Sequence, residues 1–222
     1  MNNSVTNTAR LVGAGLRALL VLTLVTGVLY PLVVTGIAQG LFHDQANGSE
    51  IKADGKVVGS SLIGQAYNLP LKEGQETPAP DLKWFQGRPQ NGLGTNSVNT
   101  QYKLILSGAT NRSGDNEELI QWVKDAKAAV VKDNSTGTYK VKPSQVPADA
   151  VTSSGSGLDP DISPQYADLQ VHRVAEKNGL STAEVRKLVD EHTEGRTLGF
   201  MGEPRVNVLE LNIALKELTA TS

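Results

Sequence analysis

Twenty-five consecutive residues, Ala18 to Phe42, carry no formal charge, and nothing else in the chain is comparable. A bilayer core about 30 Å thick is crossed by roughly 20 apolar residues in a helix rising about 1.5 Å per residue. The run is therefore long enough to span with some tilt. Its Leu, Val, Ile and Phe side chains each favour insertion by roughly 0.3–0.6 kcal/mol, which outweighs Pro31, Gln39 and the glycines. Arg10 and Arg17 precede the run, and His43, Asp44 and Glu50 follow it. Short flanks rich in Arg or Lys stay in the cytoplasm. The expected organisation is a cytoplasmic N-terminus over 1–16, a transmembrane helix over 17–42 and an extracytoplasmic domain over 43–222. Gly36-Ile37-Ala38 offers a small-x-small cleavage site, but a secretory signal has an apolar region of only about 7–15 residues, which favours a retained anchor.

About 180 residues after the anchor suffice for one domain with a real core and not for a multi-spanning transporter. With 21 basic and 23 acidic residues there is no basic stripe, so no nucleic-acid partner is expected. The absence of cysteine excludes disulfides, Cys-ligated zinc and thiol catalysis.

Residues 51–66 read as short strands and turns around Ile51, Val57 and Val58, with Gly55 and Gly59. Residues 70–97, rich in Pro, Gly and Asn, read as loop, including Thr77-Pro78-Ala79-Pro80 and Asn91-Gly92-Leu93-Gly94, with Trp84 and Phe85 pinning it to the core. A helix is predicted over 116–131: Asp115 or Asn116 caps it, Glu117 and Glu118 suit its first turn, and Ile120, Val123 and Val130 recur at helical spacing. Ser163-Pro164 starts a second helix that Asn178-Gly179 ends. Ser181-Thr182-Ala183-Glu184 is a capping box opening a third, and Asn207 caps a last helix bearing Val208, Leu211 and Leu215. Strands followed by helices predict an α+β domain with a small sheet packed by helices.

Few residues converge for chemistry. His43, His172 and His192 match no metal-binding spacing, no Gly-x-Ser-x-Gly elbow supports a hydrolase, and no Walker loop occurs. No metal and no catalytic site of its own are expected. Ser153-Ser154-Gly155-Ser156-Gly157-Leu158-Asp159-Pro160 could turn backbone amides and hydroxyls toward an anion, or could be an ordinary turn before a capped helix. In the anchor, Thr23-x-x-x-Gly27 and Gly36-x-x-x-Gly40 would let another helix approach closely.

Several ordered blocks point the same way: Gly59-Ser60-Ser61-Leu62-Ile63-Gly64-Gln65, Phe85-Gln86-Gly87-Arg88-Pro89, Ser107-Gly108-Ala109-Thr110-Asn111, Val146 through Pro160, Ile162-Ser163-Pro164 and Gly195 through Asn212. With the N-terminal anchor, they closely resemble the C-subunit family of the Kdp potassium-transporting ATPase over nearly the whole chain. Residues 70–83 and Asn111 to Asn116 depart from the usual pattern. The resemblance implies an accessory subunit of a high-affinity, ATP-driven potassium uptake pump in the bacterial plasma (inner) membrane. Its implied partners are a potassium-selecting channel-like subunit, a P-type ATPase subunit and membrane lipid. It also implies a catalytic chaperone that raises the ATP affinity of the ATPase subunit, with ATP as ligand and Ser154, Gly155, Ser156, Gly157 and Gln170 as nucleotide-binding residues. The external topology conflicts with that last role, because ATP is cytoplasmic. The alternative is a structural cap or clamp at the external potassium entrance.

Overall fold

A helix interrupted once opens the computed structural model, which describes residues 2–74, 78–89, 107–108 and 110–221. The expected loop elements Thr77 and Asn91 to Gly94, and Ala109 of the Ser107 block, lie outside the described residues. The chain divides into two compact units, Met1–Glu50 and Ile51–Ser222.

In the first unit, α1 (Asn2–Leu24) passes through a π-helical turn, Val25–Leu29, into α2 (Tyr30–Leu41). Pro31 explains the interruption. It has no N–H to give, and its ring crowds the preceding turn. The helix accommodates it by widening, so that the Tyr30 amide donates to the Val25 carbonyl five residues back. The helical stretch Ser4–Leu41, 38 residues, contains a segment long and apolar enough to cross a membrane. The helix thus begins some fifteen residues before the expected span: no proline interrupts 2–17, and Gly13 and Gly15 weaken a helix without ending it. Phe42 leaves helical geometry, and α3 (His43–Ala46) folds back through a paired amide contact. There Asn47 Nδ2 donates to Gln39 Oε1 at 3.1 Å, and Gln39 Nε2 donates to Asn47 Oδ1 at 3.3 Å.

The second domain begins with a hairpin, β1 (Glu50–Ala53) and β2 (Lys56–Ser60). Its two-residue turn, Asp54-Gly55, takes positive φ at both positions, as a turn matched to strand twist requires. Lys216 ties this turn to the C-terminal helix through a 2.6 Å contact with Asp54. The described parts of the following segment, 61–74 and 78–89, run irregularly over the domain and are stitched by backbone bonds. Leu69 N donates to Ala79 O and Asp81 N to Tyr67 O, each at 2.9 Å.

The helices start and stop where their end signals stand. The Asn116 side chain accepts from Leu119 N at the head of α4 (Glu117–Asn134). Ser163 caps α5 (Pro164–Asn178), and Gly179 closes it at φ +70°. Ser181 and Glu184 form the reciprocal box of α6 (Thr182–Glu191). Asn207 Oδ1 accepts from Leu209 N and Glu210 N to open α7 (Val208–Thr221).

Between the helices lies a second small antiparallel sheet, ordered β3 (Asp161–Ile162), β5 (Arg205–Asn207), β4 (Thr193–Glu194). Among the described residues the strands form two small sheets, one of which is threaded among the later helices. In the central strand Val206 pairs with Ile162 on one side and Thr193 on the other. Arg205 binds an acid on each edge strand, Asp161 at 3.2 Å and Glu194 at 2.6 Å. Burial against this sheet raises the Asp161 carboxyl, and the Arg205 charge opposes that rise. Val171 and Val174 of α5, Val185 and Val189 of α6, Val206 of β5, Leu211 and Leu215 of α7, and Phe85 form a fully buried core.

Gly64 is positioned by close approach. Its amide donates to Leu158 O at 2.8 Å, and a Cβ there would lie 2.4 Å from the Asp159 carbonyl oxygen. Gly64→Ala is expected to destabilise the full-length chain by about 1–3 kcal/mol, the usual cost of forcing atoms into a packed site. Thermal unfolding in detergent measures it. An unchanged melting point would mean that the Ser61–Gly64 turn can move away from Leu158–Asp159 at no cost.

Candidate functional site

Two polar constellations stand out in the second domain: a buried clamp on residues 82–86, and the serine-glycine loop. The clamp is built by side chains from three helices. Asn212 of α7 pairs with both backbone groups of Phe85: Phe85 N donates to Asn212 Oδ1 and Asn212 Nδ2 donates to Phe85 O, each at 2.9 Å. Gln170 of α5 treats Gln86 the same way, accepting from its N–H at 2.7 Å and donating to its carbonyl at 3.0 Å. These amides act as two rungs of a β-ladder supplied by side chains, satisfying backbone that enters the core outside any strand.

Arg173, one turn after Gln170 and almost fully buried, locks the arrangement. Its guanidinium donates to Trp84 O at 2.9 Å, to the Leu82 carbonyl, to Asn134 Oδ1 at 2.8 Å and to Gln170 Oε1 at 2.6 Å. Burial holds this group down to about 10, so it remains a cation at neutral pH. Asn134, the last residue of α4, spends its amide nitrogen on the Val130 carbonyl and so presents its oxygen to Arg173. A cleft of about 450 Å³ lies beside the clamp, lined by Gln65, Asn68, Arg88, Asp133, Tyr166 and Arg173 among others. Burial raises the Asp133 carboxyl and pushes the Tyr166 phenol up to about 12.

The serine-glycine loop is braced from outside. Arg88 donates to Thr152 O at 3.4 Å and Ser153 O at 3.2 Å, and pairs with Asp159 at 2.9 Å. Inside the loop, Gly157 at φ +67° donates its N–H to Ser154 O at 3.2 Å, and Leu158 N donates to Ser156 Oγ at 3.1 Å. The Ser154 and Ser156 hydroxyls lie 3.3 Å apart. The Ser156 carbonyl accepts from Gly108 N at 2.7 Å and Ser107 Oγ at 3.2 Å. Two amides that could face an anion are thus engaged within the loop, while Gly155 and Ser156 are exposed. Ser154, Gly155, Ser156 and Gly157 form one turn. Gln170 is fully buried, with both ends of its amide committed to Gln86 and Arg173.

The histidines sit on different elements. His43 is exposed, His172 stacks on Tyr139 at 3.9 Å between ring centres, and a ring nitrogen of His192 meets the Leu188 carbonyl at 2.9 Å. In the first unit Thr23 precedes the π turn and Gly27 lies within it, the Thr23 methyl approaching the Cβ side of Gly27 at 4.0 Å. Gly36 and Gly40 have open space on theirs. Sequence reasoning passed over Arg173, Asn134 and Asn212. The available signal was polar residues at positions that helical periodicity assigns to a buried face.

Comparison with known proteins is consistent along the chain. The family described as K+-transporting ATPase, c chain (KdpC) matches residues 12–217. The potassium-transporting ATPase KdpC subunit of Streptomyces avermitilis is 87% identical over 222 residues, covering 100% of both chains. That of Streptomyces coelicolor is 79% identical over 99% of this chain and 98% of its own. The subunit of the same name from Caldanaerobacter subterraneus subsp. tengcongensis is 47% identical over 89% of this chain and 90% of its own.

Proposed function

Because the chain belongs to the KdpC family, the c chain of K+-transporting ATPases, we propose that it is the membrane-anchored, non-catalytic subunit that assembles and stabilises an ATP-driven potassium uptake pump. In this reading residues 1–16 are cytoplasmic, 17–42 span the bacterial plasma membrane with lipid around them, and 43–222 lie outside. The charge asymmetry of Arg10 and Arg17 before the span against Asp44 and Glu50 after it supports that orientation. Its partners are the potassium-selecting channel-like subunit and the P-type ATPase subunit of the same pump.

One observation beyond family membership carries the structural role: the domain's buried polar side chains are spent on one another and on backbone, as the Gln170–Arg173–Asn212 clamp illustrates. Such a module supplies rigid shape. A chaperone role that raises ATP affinity through contacts of Ser154, Gly155, Ser156 and Gly157 is the competing reading, and the exposed Ser156 is what favours it.

The two readings separate on an intact, purified pump carrying Ser154→Ala and Ser156→Ala. A structural role predicts an ATP requirement for hydrolysis within about threefold of the parent, equivalent to about 0.6 kcal/mol. Direct phosphate contact predicts a rise of tenfold or more, since each hydrogen bond to a charged group contributes about 1.5–3 kcal/mol. The second outcome with normal assembly would replace the structural reading by the nucleotide-binding one. Gln170 is left unchanged in this test because its loss would disturb the clamp.

A further inference from the structure

The connection between β4 and β5, Gly195 to Pro204, projects from the domain as a closed finger. Its backbone bonds are local. Thr197 N donates to Met201 O at 2.9 Å and Met201 N to Thr197 O at 3.0 Å, while Gly199 N donates to Arg196 O at 3.0 Å. Arg196 and Glu203 pair across its base at 2.7 Å. Below them the paired strands continue to Val206, which is fully buried. The finger is therefore rooted in the core and fixed in shape.

Its tip is apolar. Leu198 is 77% exposed, Phe200 71% and Met201 45%. Leu198 also takes φ +54°, a left-handed conformation costly for a bulky side chain. Backbone strain of this kind persists where the surroundings over-determine it, and it concentrates at binding and switching sites. Here it turns the leucine outward next to Gly199 at φ +82°. A fixed apolar knob loses little conformational freedom on docking, and Phe and Met are enriched at the buried centres of protein interfaces.

We propose that this finger is the docking knob by which the domain seats in an apolar socket on a neighbouring protein subunit of the pump. The inference rests on the subunit reading above. Charge on the finger favours protein over lipid: its one cation, Arg196 at the base, is paired with Glu203, whereas surface-inserting segments present free Lys or Arg and interfacial Trp or Tyr. The partner surface is accordingly apolar at its centre with a rim that tolerates one ion pair.

Photo-cross-linking in the assembled pump tests this directly. Phe200→benzoylphenylalanine is compared with the same replacement at Lys187, an exposed position on α6. The expected result is an adduct with another subunit at Phe200, in yield at least tenfold above Lys187. Adducts only with lipid or with a second copy, or no adduct in a pump that still co-purifies, overturn the docking assignment while leaving the subunit reading in place. Failure of the parent chain to co-purify with any other pump subunit overturns both. As a second measurement, Leu198→Asp with Phe200→Asp should lower recovery of the chain with the pump at least tenfold while its own melting is unchanged. Full recovery of the normally melting double variant refutes the proposal.

Discussion

Arg173→Met is expected to destabilise the full-length chain by about 3–5 kcal/mol, the sum over several buried acceptors that lose their donor, less what relaxation recovers. The loss strands the Leu82 and Trp84 carbonyls and Asn134 Oδ1, all of which now accept from the guanidinium. Each buried acceptor left without a donor costs about 1–3 kcal/mol, partly recovered by relaxation. In a domain of this size the change corresponds to a fall in melting temperature of roughly 10 °C, measured by thermal unfolding in detergent. Arg173→Lys keeps the charge but cannot reach four acceptors on three elements, so it should fall between parent and Met variant. A melting point for Arg173→Met at the parent value would mean that Phe85 and Gln86 are held by Asn212 and Gln170 alone.

Leu211→Ala should cost about 2–5 kcal/mol, because Leu211 is fully buried on the inner face of α7 and its truncation leaves a cavity. Leu62→Ala supplies the contrast: that side chain is 63% exposed and its truncation should stay within about 0.5 kcal/mol of the parent. Parent-like stability of Leu211→Ala together with a pump that no longer works would move Leu211 from the core to a contact surface. The C-terminal block is thereby tested as a structural element.

How much of this was legible in the sequence depends on how local the cause was. Helix ends depend on residues within one turn, so Asn116, Ser163-Pro164, Gly179, the Ser181–Glu184 box and Asn207 could all be read directly, and each has the expected partner. Strands β3, β4 and β5 could not. At two or three residues each they are too short for alternation to register, and the central strand β5 pairs with β3, whose partners Ile162 and Val206 lie far apart in the chain, on one side and with β4 on the other. The long apolar helix was evident from composition, but the widened turn before Pro31 depends on a missing donor that hydropathy does not weigh. In the candidate site the serine-glycine loop was visible as a motif, whereas the clamp was not. Gln170 was singled out by resemblance alone, and its partner Gln86 lies 84 residues away. In α5 only the helical period that turns position 173 inward marks it; the four carbonyl and amide oxygens that Arg173 holds come largely from distant chain that the local pattern does not carry.

The clamp also sets when this domain can finish folding. The backbone of Phe85 is satisfied by Asn212, 127 residues later and ten from the end of the chain. At roughly 5–20 residues per second, the stretch from the end of the apolar helix to Asn212 takes on the order of 10–30 s to synthesise. Until Asn212 is made, the Phe85 backbone lacks the partner that lets it enter the core, although Gln170 and Arg173 are already present for its neighbours, and the domain cannot close completely. In the proposed topology this delay is useful, since a segment bound for the far side of a membrane must be threaded through as an unfolded chain. In that topology the helix α7 would act as a latch that closes only after export, and chains ending before Asn212 should be recognised as unfinished and degraded.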